Sequence, residues 1–165
     1  MMGMALEKIK TAAELATISE EFRRSGRKLV FTNGCFDLLH AGHVRYLEQA
    51  RQLGDALLVA VNGDDSVRQL KGPTRPLNCE DDRAEVLSAL GSVDYVTIFP
   101  EMRVTNLINE IKPQVYAKGG DYTVESLNPE ERGALQAADT EIKLLSLVPG
   151  RSTTNIIQKM GASKA

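Results

Sequence analysis

Strand-like and helix-like patterns alternate along this chain. Lys28 to Thr32 (KLVFT) is a short apolar run, and Ala56 to Val61 (ALLVAV) is fully apolar, as in strands covered on both faces of a sheet. Tyr95 to Phe99 (YVTIF), Gln114 to Ala117 and Ile142 to Leu147 read as three more strands. A leading helix is predicted over residues 11–25, where Thr11 and Glu14 have capping-box spacing, Leu15, Ile18 and Phe22 share a face, and Gly26 is a stop. Ala41 to Leu53 forms a second helical stretch with Gly54 as its C-cap. After a polar loop around Lys71 to Pro76, Asn78 can cap a helix whose first turn holds Glu80, Asp81 and Asp82, which complement the helix dipole. Residues 103–112 (ended by Pro113), 129–138 and a segment starting near Ser152 complete the helices. Strands alternating with helices imply right-handed βαβ crossovers, hence the α/β class: a doubly wound sheet of about five parallel strands with helices on both faces. No internal repeat or linker interrupts the pattern, so residues 1–165 are read as one domain. Ligands of such sheets bind beyond the carboxyl ends of the strands, near the switch point.

Composition narrows the classes. With 42% hydrophobic residues the chain is not mainly disordered, and 20 basic against 22 acidic residues argue against a general nucleic-acid binder. Cys35 and Cys79 make no disulfide framework and read as thiols of a reducing compartment. The apolar run Ala56 to Val61 falls far short of the ~20 residues that span a bilayer, and residues 1–10 lack the apolar centre of a signal peptide. A cytoplasmic protein with no membrane partner is expected.

The chemistry concentrates after the first strand, in Thr32-Asn33-Gly34-Cys35-Phe36-Asp37-Leu38-Leu39-His40-Ala41-Gly42-His43, which contains both histidines of the chain. Asn33-Gly34 reads as a sharp turn in which glycine lets the backbone approach a ligand. His40 and His43, three residues apart at a helix start, share one face, beside free amides and the positive dipole end that favour phosphate. Two other readings stand beside this one: a structural pair satisfied by backbone carbonyls, and a zinc site from Cys35, His40, His43 and Cys79. The latter has suitable ligand types but lacks the paired close spacings of zinc motifs.

Gly34 to His43 resembles the HxGH nucleotidyltransferase superfamily, whose motif follows the first strand of a Rossmann-like sheet. From about residue 27 to 159 the chain is similar to the D-glycero-β-D-manno-heptose 1-phosphate adenylyltransferases. The matching words are Thr32-Asn33-Gly34 with Phe36-Asp37, Leu39-His40-Ala41-Gly42-His43-Val44, Leu70-Lys71-Gly72, Arg75-Pro76, Lys118-Gly119-Gly120-Asp121-Tyr122 and Ser152-Thr153-Thr154-Asn155-Ile156-Ile157.

The resemblance implies transfer of AMP from ATP to a heptose 1-phosphate, releasing pyrophosphate, for lipopolysaccharide inner-core synthesis. The substrate's own phosphate is the nucleophile, so positioning and charge stabilisation carry catalysis. His40, His43 and Lys71 are the implied catalytic residues, with the histidines protonated against the phosphates. Thr32, Asn33, Gly34, Phe36, Gly42, Lys118, Gly119, Gly120, Asp121, Ser152, Thr153 and Thr154 are the implied nucleotide contacts. Asp37, Arg75 and Arg83 fall to the substrate side, Asp37 as an orienting or metal-proximal group and Arg83 as the match to an arginine of related cytidylyltransferases. In related glycerol 3-phosphate cytidylyltransferases an arginine–threonine pair precedes the last segment; here Leu147 and Val148 stand there, and Arg151 follows Gly150. Mg²⁺ is expected to arrive with ATP, keeping its waters and needing no protein metal motif. Many relatives carry a fused sugar kinase for which this chain is too short, so a separate kinase is implied as the upstream partner. A homo-oligomer is in keeping with the family. The rival functions are a cytidylyltransferase for glycerol 3-phosphate or a similar alcohol, and a nucleotide-sensing or metal-binding module without turnover.

Overall fold

The computed structural model describes residues 4–162, so the extreme ends of the expected 1–165 domain lie outside the described residues. Five strands form one parallel sheet: β1 (Leu29–Gly34), β2 (Ala56–Asn62), β3 (Tyr95–Phe99), β4 (Val115–Gly119) and β5 (Glu141–Leu145). Their order is β3-β2-β1-β4-β5, with every neighbouring pair parallel. The α/β doubly wound reading holds. The chain first winds outward from β1 through β2 to β3 and then returns to β4 on the other side, so the switch point lies at the carboxyl ends of β1 and β4.

Seven helices cover the sheet among the described residues: α1 (Ala12–Arg24), α2 (Ala41–Arg51), α3 (Asp64–Lys71), α4 (Glu80–Ser88), α5 (Thr105–Ile111), α6 (Pro129–Ala137) and α7 (Thr153–Ala162). Alternation along β1 divides the core. Leu29 and Phe31 pack with Leu15, Phe22, Ile108 and Leu135 on one face, while Val30 packs with Leu47, Leu57, Val59 and Leu87 on the other. The complete burial of β2 explains its unbroken apolar run. The leading helix has its predicted capping box, with the Thr11 hydroxyl accepting from the Glu14 amide and the Glu14 carboxylate accepting from the Thr11 amide. Gln114 and Ser19 join α1 to the approach to β4, since the Gln114 amide nitrogen donates to the Ser19 hydroxyl at 3.2 Å.

Four local expectations change. Asn33 and Gly34 do not form a turn; they continue β1 opposite Ala60 and Val61. The turn falls instead on Phe36, at φ +47. Helix α2 stops at Arg51, and Gly54 is no C-cap: a Cβ there would lie 2.6 Å from the Lys28 carbonyl oxygen, so close backbone approach requires the glycine. Lys71 is not in a loop but ends α3, a helix whose charged sequence DDSVRQLK gave no clear apolar face. Cys79, not Asn78, occupies the N-cap position of α4, because the Asn78 side-chain amide donates to the Asp37 carbonyl at 2.9 Å.

Candidate functional site

A cleft of about 570 Å³ opens at the switch point, walled by the segment after β1, the start of α2, the end of α3, the end of β4 and the start of α7. Four cations line it, Lys71, Arg75, Lys118 and Arg151, against a single carboxylate, Asp37. In a chain of net charge −2, this local excess marks an anion site.

His40 and His43 sit together at its wall. Their rings stack with centroids 3.9 Å apart and 29° between planes. The His40 Nδ1 accepts from the Gly42 amide at 3.1 Å, capping α2 and leaving the ring proton on Nε2. A Cβ on Gly42 would lie 2.8 Å from His40 Cε1 and Nδ1, so the glycine between the histidines is a steric requirement of their packing. The Phe36 ring tilts against His43 at 5.4 Å, and its edge stands where a Gly34 side chain would go, 2.9 Å from that Cβ. Burial, then the neighbouring His40, pushes His43 down to about 4. Burial, then the charge of Arg151, lowers His40 as well. Both shifts favour the neutral imidazole in the free protein, whereas the protonated form was expected against bound phosphates. A phosphate group would reverse the balance, since an opposite charge favours the protonated ring. The buried Nδ1 of His43 has no hydrogen-bond partner among the described residues.

On the opposite wall, Lys118 and Gly119 are the last residues of β4 and not the loop beyond it. The Lys118 ammonium lies 4.9 Å over the Tyr122 ring. Gly119 packs so closely on Leu147 and Tyr46 that a Cβ would approach them to 2.7 and 2.8 Å. Ser152, Thr153 and Thr154 open α7 at the cleft. The Ser152 hydroxyl accepts from the Asn155 amide at 3.1 Å, and Thr153 donates to the Leu38 carbonyl at 2.9 Å, tying α7 to the histidine loop.

The cleft thus brings together fourteen of the expected positions: Asn33, Gly34, Phe36, Asp37, His40, Gly42, His43, Lys71, Arg75, Lys118, Gly119, Ser152, Thr153 and Thr154. Four lie elsewhere. Thr32 borders a smaller adjoining cavity of about 180 Å³, where its hydroxyl is 2.8 Å from the Tyr46 phenol, which in turn donates to the Ala117 carbonyl. Gly120 and Asp121 fall outside the cleft lining, Gly120 making the turn out of β4 at φ +126 and Asp121 being exposed.

Arg83 is the clearest correction. Its side chain is 1% exposed and bonds the Asn78 carbonyl, the Cys35 carbonyl at 2.6 Å and the Asp64 carboxylate at 2.8 Å. It holds the segments beneath the cleft together and is not among the residues that line it. Asp37, though at the cleft, is similarly committed: its carboxylate takes the Arg75 Nε at 2.6 Å and the amides of Leu77 and Asn78. No oxygen-rich metal cradle results, and among the described residues no group of three or more His, Cys, Asp or Glu could hold a metal ion. The zinc arrangement of Cys35, His40, His43 and Cys79 has no geometric support.

Tyr46, Leu70, Tyr122, Leu147, Val148 and Arg151 also line the cleft. Sequence reasoning assigned them no role. Signals were present: Tyr46 is spaced three residues beyond His43 and continues the same helical face, Leu70 and Tyr122 fall inside the matching words, and Leu147, Val148 and Arg151 stand just before the last helix.

A family model described as cytidylyltransferase-like matches residues 31–159. The bifunctional protein HldE of Syntrophotalea carbinolica is 47% identical over 153 residues, covering 93% of this chain and 31% of that protein. HldE of Pelobacter propionicus is 50% identical over 153 residues, with the same two coverages of 93% and 31%. The chain spans 31% of the length of these curated relatives. Among solved structures, the lipopolysaccharide core biosynthesis protein of Thermoplasma volcanium superposes with a TM-score of 0.61 at 27% identity, covering 74% of this chain and 98% of that one. A pantoate-beta-alanine ligase from Francisella tularensis shares the fold alone, with a TM-score of 0.55 at 13% identity over 95% of this chain and 78% of its own. No helix among the described residues is long and apolar enough to cross a membrane.

Proposed function

The chain belongs to the cytidylyltransferase-like family and is a nucleotidyltransferase, and from that premise we propose that it transfers AMP from ATP to D-glycero-β-D-manno-heptose 1-phosphate, giving ADP-heptose and pyrophosphate. The observation that carries this reading is the paired imidazole site on a four-cation wall with its one carboxylate already occupied, a surface suited to a polyphosphate. The HldE relatives, bifunctional by name, match this chain over about a third of their length, which suits one of two activities. The Thermoplasma volcanium protein, named for lipopolysaccharide core biosynthesis, favours the same pathway.

The reaction is a displacement at the α-phosphorus. A phosphate oxygen of the acceptor forms the new P–O bond, and the bond to the β-phosphate bridge breaks, with its electron pair leaving on pyrophosphate. The acceptor is the nucleophile because the cleft offers no activated one: burial raises the Cys35 thiol, keeping it protonated. His40 Nε2–H and a protonated His43 donate to phosphate oxygens as charge grows there. Lys71 and Lys118 neutralise the phosphates, and the first backbone amides of α7 with the Thr154 hydroxyl bind the leaving pyrophosphate. Mg²⁺ belongs to the substrate as Mg-ATP, and the saturation of Asp37 leaves its coordination to phosphates and water. A sugar kinase supplies the acceptor.

The family model's description favours one second reading, a cytidylyltransferase acting on glycerol 3-phosphate or a related alcohol. Pyrophosphate release measured with ATP or CTP against each acceptor separates the two. Turnover confined to CTP with glycerol 3-phosphate sinks the adenylyl reading.

A further inference from the structure

Asp37 has a buried carboxylate, 1% exposed, on the wall of a site otherwise made for anions. All of its partners come from one remote segment. Arg75 donates from Nε at 2.6 Å, the Leu77 amide at 2.9 Å and the Asn78 amide at 3.0 Å, while the Asn78 side chain returns a bond to the Asp37 carbonyl at 2.9 Å. Burial alone would raise this carboxyl, but the two amides and the guanidinium together hold it below the usual carboxylate range. The segment begins at Gly72, whose φ of +104 lets the chain leave α3 directly after Lys71. It ends at Asn78, whose carbonyl accepts from Arg83. Between these points the described residues give the segment few other anchors: the Arg75 amide donates to the Gly72 carbonyl within the segment itself, and Leu77 is 55% exposed. Asp37 is thus its main tie to the floor of the cleft.

We propose that Asp37 is a positioning residue, a latch that fixes residues 72–78 against the histidine loop and so aims the Arg75 guanidinium, with Lys71 beside it, at the acceptor phosphate. Holding Arg75 by Nε leaves the two terminal nitrogens of its fork for a phosphate, a geometry in which guanidinium binds two oxygens at once. The side chain of Arg75 is 16% exposed, enough for contact but with its direction set from behind. Asp37 itself touches neither substrate nor metal. The proposal rests on the nucleotidyltransferase reading for its activity readout but not for its structural one.

The test combines a double-mutant cycle with hydrogen exchange on the intact chain. Asp37→Asn and Arg75→Gln should each lower kcat/KM by ~10²-fold, with the loss mainly in the KM for the acceptor and not for ATP, as misplacement of a positioning group does. The double variant should be no worse than Arg75→Gln alone, because both changes remove one interaction. In ligand-free Asp37→Asn, amide exchange at Leu77 and Asn78 should rise while exchange in β1 and β2 stays unchanged, and melting curves should show that the fold is retained. Two results overturn the latch: losses that multiply to ~10⁴-fold in the double variant, as for independent contacts, or unaltered exchange across 72–78. If the wild type fails to turn over ATP with heptose 1-phosphate, the functional reading falls, and the exchange measurement alone decides the latch.

Discussion

At the scale of single residues, the decisive feature is how His40, Gly42 and His43 depend on one another. The glycine admits the His40 ring, which caps the helix through Nδ1 and stacks on His43, so the two rings form one constructed surface. Changing either histidine to alanine should lower kcat by roughly 10²–10³, the loss typical of removing one preorganised donor, measurable as pyrophosphate release. The depressed His43 also links stability to pH. The unfolded chain accepts a proton on this ring below about pH 6.5, whereas the folded protein resists it down to about 4. Its contribution is complete above the unfolded value and is lost as pH falls through that window. Thermal melts at pH 7 and pH 5 should show the wild type losing more stability than His43→Asn, and equal losses would contradict the assignment. The pairing of these residues was legible in sequence because it is local. The partners of Asp37 and Arg83 were not: Asp37 was read as an orienting group with no sign of what it holds, and the Arg75 side chain and the Cys35 carbonyl lie 38 and 48 positions from Asp37 and Arg83, a distance that no spacing rule covers.

At the scale of elements, hydrophobic pattern located all five strands: β2, buried along its whole length, leaves a continuous apolar run, while the largely exposed edge strand β5 showed only through Ile142, Leu144 and Leu145. Ends were displaced where tertiary contacts override local signals: β1 runs through Asn33-Gly34 because Ala60 and Val61 pair with them. Helix α3 escaped notice because only Ser66 and Val67 are buried in it, too few to give a stripe. The loops between these elements are joined by Arg83, which ties α4 to the end of β1 and the start of α3. Arg83→Ala should therefore destabilise the fold by about 3 kcal/mol, since it empties a buried site and leaves the Asn78 and Cys35 carbonyls and the half-buried Asp64 carboxylate without their donor. Chemical denaturation checks this. A stable variant with a selective loss of substrate affinity would instead return Arg83 to the substrate-binding group.

At the scale of the whole molecule, the strand order β3-β2-β1-β4-β5 converts dispersed sequence words into one site. Residues near positions 40, 71, 118 and 153 meet because β1 and β4 are neighbours and the segments leaving their carboxyl ends share a crevice. The nucleotide identity is the part least visible in fold or pattern, since a phosphate site serves ATP and CTP alike. The central claim is therefore tested most directly by competition. Wild-type protein is given equal ATP and CTP, with Mg²⁺, heptose 1-phosphate and glycerol 3-phosphate present together, and the nucleotide products are identified by mass spectrometry. ADP-heptose with an equivalent of pyrophosphate is the predicted product; CDP-glycerol as the main product, or nucleotide binding with no product, contradicts the claim.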